Sequence, residues 1–198
     1  MEKMQCEIPV SQFLQTCVDV QRFAACCQAC PGYGKTWTCQ PFRFEPRELW
    51  ENYDFLLLQS RKIPVPDALR ETVFTPQALN VASTDFLFAE KRAMLLELLE
   101  LEKQYPGSMA LSGGSCDICP VGTCSRLNGQ EPCRNPSMMR YSIEALGGDV
   151  CKALELYFDQ QILWGTDGHM PEYYILLGGL LLKRDGKIDA KEMGYRVW

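Results

Sequence analysis

Residues 113–136, Gly-Gly-Ser-Cys-Asp-Ile-Cys-Pro-Val-Gly-Thr-Cys-Ser-Arg-Leu-Asn-Gly-Gln-Glu-Pro-Cys-Arg-Asn-Pro, constrain this chain more than any other stretch. Four cysteines, Cys116, Cys119, Cys124 and Cys133, are spaced C-x2-C-x4-C-x8-C. Glycine, proline and small polar residues fill the intervals, so neither a regular helix nor a regular strand can form. A loop this long without apolar periodicity is uncommon in a compact domain unless something holds it. Four thiolates converging on one centre would do so. The expectation is an iron–sulfur cluster, with a zinc ion as the alternative.

Thiolates are soft ligands and suit iron–sulfur clusters or zinc rather than magnesium or calcium. Structural zinc more often uses two C-x2-C knuckles separated by a longer span. Here Cys116 and Cys119 form one such pair, while Cys124 and Cys133 form none. A [4Fe–4S] cube must be surrounded by its ligands, and irregular glycine-bearing loops can turn backbone amides toward its sulfides. The chain has eleven cysteines and a single histidine, His169. An odd count in a 198-residue chain with no export signal reads as metal-binding or catalytic rather than as a disulfide framework. With one imidazole, any site must be built from thiolates; His169 is expected in an exposed turn.

A second group precedes the first. Cys26, Cys30 and Cys39 give three spaced ligands, with Cys27 as an alternative or fourth. If three thiolates bind, one iron stays open to a substrate, which would make the chain an enzyme subunit. Cys26-x3-Cys30-x8-Cys39 also echoes Cys119-x4-Cys124-x8-Cys133, each with a proline soon after. Cys6, Cys17 and Cys151 are other potential completions, but isolated cysteines are usually small buried hydrophobes. Lys35, Arg134 and Arg140 are candidates to offset the charge of a thiolate-bound cluster. Asp117 reads as a turn residue. Tyr33-Gly-Lys35 lacks the glycine spacing of a phosphate loop and reads as a turn packing Tyr33 and Trp37 over the site.

The two cysteine motifs together carry a resemblance. Cys-x3-Cys-x2-Tyr-Gly-Lys-x-Trp-x-Cys at 26–39 is followed by the four-cysteine run, then Arg134-x-Pro136 and Tyr141-Ser-Ile-Glu-Ala145. This resembles the prokaryotic "predicted metal-binding protein" family over residues 22–183. The resemblance implies metal binding, with iron–sulfur expected, and brings no established reaction. Members tend to carry Cys-Pro-Pro after the tryptophan, whereas this chain has Cys39-Gln-Pro41.

The rest of the chain reads as a scaffold. An apolar fraction of 46% and a charged fraction of 23% are ordinary for a globular domain. The net charge of −5 argues against nucleic acid or an anionic membrane as the main partner. The longest apolar run, Tyr173 to Leu182, is too short to span a bilayer as a helix. The expected location is the cytoplasm. A helix capped by Ser11 is expected to carry Phe13, Leu14, Cys17, Val18, Val20 and Phe23 toward the early cysteines. Helical turns are expected from Pro46 to Asn52, a buried strand within 53–65, and a short helix near Asp67 to Glu71. A long helix is expected from a Thr84 cap to about Tyr105, then a short strand Met109 to Leu111. Helices from Ser137 to Ala145 and from an Asp149 cap to about Ile162 precede a final strand, Tyr173 to Leu182. The whole reads as one α+β or small α/β domain over 1–198, with a core of about 22–183 and a polar, partly disordered tail from 185. It has a few-stranded sheet, flanking helices and the cysteine loops at one end. The expected cofactor is one or two [4Fe–4S] clusters, with one-electron transfer to a redox partner protein; the alternatives are a zinc-stapled interaction domain and the open-iron enzyme subunit.

Overall fold

The computed structural model describes residues 1–183 and 196–197. The expected tail from 185 lies outside the described residues, apart from the pair 196–197. The fold is α+β. Four antiparallel strands form a sheet in the order β3 (Met109–Leu111), β4 (Tyr173–Leu182), β2 (Phe55–Pro64), β1 (Glu2–Pro9). The two-residue strand β5 (Arg196–Val197) pairs in parallel with β1. Phe55 faces Leu182 and Pro64 faces Tyr173 across β2 and β4, while Glu2 faces Lys62 and Pro9 faces Phe55 across β1 and β2.

β2 and β4 are apolar almost throughout because both of their faces are covered. Successive side chains alternate between faces. Leu56, Leu58, Leu177 and Leu181 enter one core with Phe13, Leu14, Trp50, Leu154 and Phe158. These come from α1 (Val10–Cys17), α3 (Pro46–Glu51) and α6 (Val150–Phe158). Leu57, Leu176 and Leu180 enter the other with Met94, Leu98 and Leu101 of α5 (Pro76–Gln104). Each fully buried leucine contributes roughly 1.5–3 kcal/mol of transfer free energy. The expected core of about 22–183 is joined by β1 and α1, whose Met4, Ile8, Phe13 and Leu14 are buried.

Gly178 and Gly179 break the leucine run of β4 for a steric reason. A Cβ at Gly179 would stand 2.5 Å from the Leu57 carbonyl oxygen. One at Gly178 would stand 2.8 Å from the Leu111 carbonyl oxygen and 3.0 Å from Met94 Cε. Their absence lets α5 and the neighbouring strands close on β4.

Three expected elements differ. The helix assigned to Ser11 is two helices, α1 and α2 (Val20–Ala29). Asp19 accepts from the Arg22 amide (3.0 Å) and caps α2, while Val18 pairs with Gly148 in an isolated bridge. α5 begins eight residues before the expected Thr84 for the same kind of reason. Thr75 caps it, accepting from the Ala78 amide (3.3 Å), with Pro76 in its first turn. Thr84 instead donates back to the Asn80 carbonyl within the helix. The helix expected over 137–145 is absent apart from a 3-10 turn at Glu144–Leu146. There the chain is pulled into a bridge beside β3: the Ser112 amide donates to the Tyr141 carbonyl (2.9 Å). β1 itself was not anticipated, since its polar positions mask its alternation. α3, α4 (Asp67–Arg70), β2, β3 and β4 stand where expected; α6 keeps its Asp149 cap but stops at Phe158, before Ile162, where Asp159 takes φ 51°.

This bridge fixes the cysteine loops at one end of the sheet. Segment 142–149 receives the Gln40 side-chain amide on the Ala145 carbonyl (3.0 Å) and the Trp50 indole on the Leu146 carbonyl (3.0 Å). It also exchanges backbone bonds with the α1–α2 junction: the Asp19 amide donates to Gly147, and the Asp149 amide donates to Cys17. Gly147 has φ 85°, and a Cβ on it would lie 2.8 Å from Val20 Cα, so only glycine lets α2 approach this closely.

Candidate metal centre

The early cysteines sit at the end of α2 and in the turn series that follows. Cys30 is the C-cap, and its amide donates to the Cys27 carbonyl (3.0 Å). Successive turns carry the chain to Cys39, whose amide donates to the Thr36 carbonyl (3.2 Å). Gly34, at φ 69°, donates to the Gln40 carbonyl (2.7 Å) and closes the loop on itself. A Cβ at Gly32 would lie 3.6 Å from Cys30 Sγ and 3.8 Å from Cys39 Sγ. The two sulfurs therefore flank one small cradle left open by that glycine. The Gly32 amide donates to Cys30 Sγ (3.4 Å).

The late cysteines follow β3 directly. Asn135 serves two of them: its amide donates to Cys133 Sγ (3.4 Å) and its side-chain Nδ2 to Cys119 Sγ (3.3 Å). N–H groups aimed at sulfur stabilise a thiolate or a thiolate-bound cluster. Lys91, from α5, holds the start of the loop. Its ammonium ion-pairs with Asp117 (2.9 Å) and donates to the Ser115 carbonyl (3.1 Å), on either side of Cys116. Asp117 is thus more than a turn residue.

Arg126 joins the two loops. From the late loop its guanidinium donates to the carbonyls of Thr36 (2.6 Å), Pro41 (2.7 Å) and Cys39 in the early one. Beside it the Trp37 indole donates to Ser125 Oγ (2.9 Å), and the Arg126 guanidinium lies over the Trp37 ring. Trp37 therefore links the loops rather than merely capping one.

Together these contacts make one cavity of about 810 Å³. Cys116, Cys119, Cys124 and Cys133 line it from one side, Cys39 and Gly32 from another, and α5 from a third. Burial pushes the Cys116 thiol up from its ordinary value, and the neighbouring Asp117, Cys119 and Cys133 add to this. Burial likewise raises Cys27, with Cys30, Cys39 and Cys26 adding to it. The predicted ligands are thus drawn into two neighbouring groups. Among the described residues, no three Cys, His, Asp or Glu side chains converge tightly enough to hold a single metal ion. The thiols ring a space instead of meeting at a point.

All eleven cysteines are free thiols. Cys17 is buried, as expected of an isolated cysteine. Cys6 is half-buried on β1, where burial pushes its thiol up to about 12. Cys151 departs from that expectation: it is exposed, because Ala153, Leu154 and Phe158 form the buried face of α6. His169 is half-buried rather than exposed. Its Nδ1–H donates to the Arg70 carbonyl (2.8 Å), and it is not among the residues lining the cavity. Arg140 is paired with Glu102 of α5, so of the three cations considered for charge offset only Lys35 lines the cavity.

Sequence reasoning missed Arg126, Lys91, Asn135 and Glu144. Glu144 Oε2 is sealed from solvent with no hydrogen-bond partner, and burial pushes its carboxyl up. No signal in the spacing marks such groups; Arg126 alone had a cue, as a cation two residues after the candidate ligand Cys124. Among the described residues no helix is long and apolar enough to cross a membrane.

Cysteine sulfurs, N–H donors aimed at them and a roomy cavity match what the donor set of a metal protein requires. No curated protein and no solved structure matches the chain. The family model described as "Predicted metal-binding protein (DUF2284)" matches residues 14–182, and the chain belongs to that family.

Proposed function

We propose that this metal-binding chain is an iron–sulfur protein. Cys116, Cys119, Cys124 and Cys133 would hold a [4Fe–4S] cluster, and Cys26, Cys30 and Cys39, with Cys27 as alternative or fourth ligand, would hold a second centre. The observation that carries this reading is the ring of sulfurs around one cavity, with Cys39 and all four late cysteines on its wall. A wide ring of soft donors suits a polynuclear cluster better than one zinc ion. When bound, such a cluster supplies one-electron transfer.

The chain's own residues do the rest. Asn135 and the Gly32 amide place N–H donors on three of the sulfurs, where they would hydrogen-bond a metal-bound cysteine. Lys91 fixes the backbone around Cys116 and brings one positive charge to the rim. Arg126 keeps the two cysteine loops at a constant separation. A redox partner protein follows from this reading, since an electron carrier needs a donor and an acceptor.

Anaerobic purification followed by iron, sulfide and zinc assays and a visible spectrum tests the proposal. A brown protein with matching iron and acid-labile sulfide is expected. A colourless protein with stoichiometric zinc and no sulfide would replace it with a zinc-stapled domain.

A further inference from the structure

α5 poses a problem that metal binding does not solve. All of its buried residues lie from Met94 onward, and none from Pro76 to Ala93 is buried. The helix thus runs more than four turns beyond its main core contact. One side of that extension leans on the sheet through Ser83, Phe86 and Leu87; Ser83 Oγ meets the Tyr174 hydroxyl at 2.6 Å. The other side carries Thr84, Phe88 and Arg92 at i, i+4 and i+8, and this stripe forms the third wall of the cavity. Phe88 stands 43% exposed there. None of these side chains is a soft donor, so the cavity extends past the ligand set.

Its charges are unequally matched. Lys91 is engaged by Asp117 and the Ser115 carbonyl. The side chains of Arg92 on α5 and Lys35 on the early loop have no hydrogen-bond or ion-pair partner among the described residues, and both residues line the cavity. Asp85 is the one other carboxylate on the wall. Most of the remaining lining is apolar, including Trp37, Ile118, Leu127 and Met139 besides Phe88. The cavity of about 810 Å³ includes the space beside the cysteines, and its apolar walls with a few charged side chains are the usual properties of a small-ligand site.

We propose that this cavity binds a small organic anion with a flat apolar body. Arg92 and Lys35 hold its charge, and Phe88 and Trp37 take its body. The site places such a molecule beside the late cysteines, whichever metal they hold. It therefore stands apart from the iron–sulfur reading and fails separately from it.

The test uses the metal-loaded protein, titrated calorimetrically with 2-naphthoate and with the neutral 2-naphthylmethanol, alongside iron, sulfide and zinc assays. One naphthoate per chain is expected, with the alcohol weaker. Arg92→Gln should weaken naphthoate by about tenfold or more and leave the alcohol unchanged, whereas Phe88→Ala should weaken both. Metal content should stay constant in both variants, because α5 carries no ligand. Naphthoate binding with this dependence on a zinc-only protein would uphold the site and remove the iron–sulfur reading. Absence of stoichiometric binding, or equal binding of acid and alcohol untouched by Arg92→Gln, would overturn it. So would a shift of the metal centre's potential in Arg92→Gln and Lys35→Gln with naphthoate affinity intact. That result would assign these cations to the cluster instead.

Discussion

Replacing Arg126 by alanine tests whether the two cysteine loops are one unit. The guanidinium donates to three carbonyls of the early loop, those of Thr36, Cys39 and Pro41. A hydrogen bond to a charged group contributes about 1.5–3 kcal/mol when buried. Arg126 is half-buried and the freed carbonyls regain water, so each bond falls below that range, to about 1 kcal/mol, and the loss is about 3 kcal/mol in total. That is about a hundredfold in the opening equilibrium of the early loop. Hydrogen exchange reads it locally: the Gly34 and Cys39 amides, bonded within the loop, should exchange about a hundredfold faster. Amides of β2, 20 or so residues on in sequence and bonded on both sides, should keep their wild-type protection. Arg126→Lys should rescue only part of it, since one ammonium cannot reach three acceptors as a planar fork does. Unchanged exchange at 31–42 in Arg126→Ala would refute the clamp. An increase equal across β2 would refute it too, by making the effect one of global stability.

Gly179→Ala should lower the melting temperature by about 3–10 °C, because its Cβ meets the Leu57 carbonyl at 2.5 Å and overpacking costs about 1–3 kcal/mol; a melting curve unchanged within a degree or so would contradict that packing. The Cys6 thiol, pushed up to about 12, favours the folded state fully below its ordinary value of 9.0. That contribution fades as pH rises from 9.0 toward 12, so denaturant midpoints should fall across this window in wild type more than in Cys6→Ala. Cys124→Ser should reduce bound metal measured by elemental analysis, whereas Cys151→Ser, on the exposed side of α6, should leave it unchanged. Equal losses in the two variants would contradict the ligand assignment.

What could be read in the sequence was local. The cysteine loops were legible because proline, glycine and thiol spacing act over a few residues, and β2 and β4 because two-sided burial leaves a continuous apolar run. The errors arose where a distant contact outweighed local preference. Residues 137–145 have a serviceable helical pattern, yet Ser142 makes a bridge to Ser112, and Gln40 and Trp50 donate to the carbonyls of Ala145 and the adjoining Leu146. Those bonds satisfy backbone groups that a helix would otherwise use, so only the 3-10 turn Glu144–Leu146 remains. The same reasoning separates the legible part of the site from the rest. A thiol announces its role by its chemistry, whereas Arg126 and Lys91 look like ordinary surface cations until the fold aims them at carbonyls and a carboxylate across the loop. Glu144 is the limiting case. It lies within the segment that anchors both loops, and it adds a last, small part to the raising of the Cys27 thiol, which burial dominates. That coupling belongs to the tertiary arrangement alone.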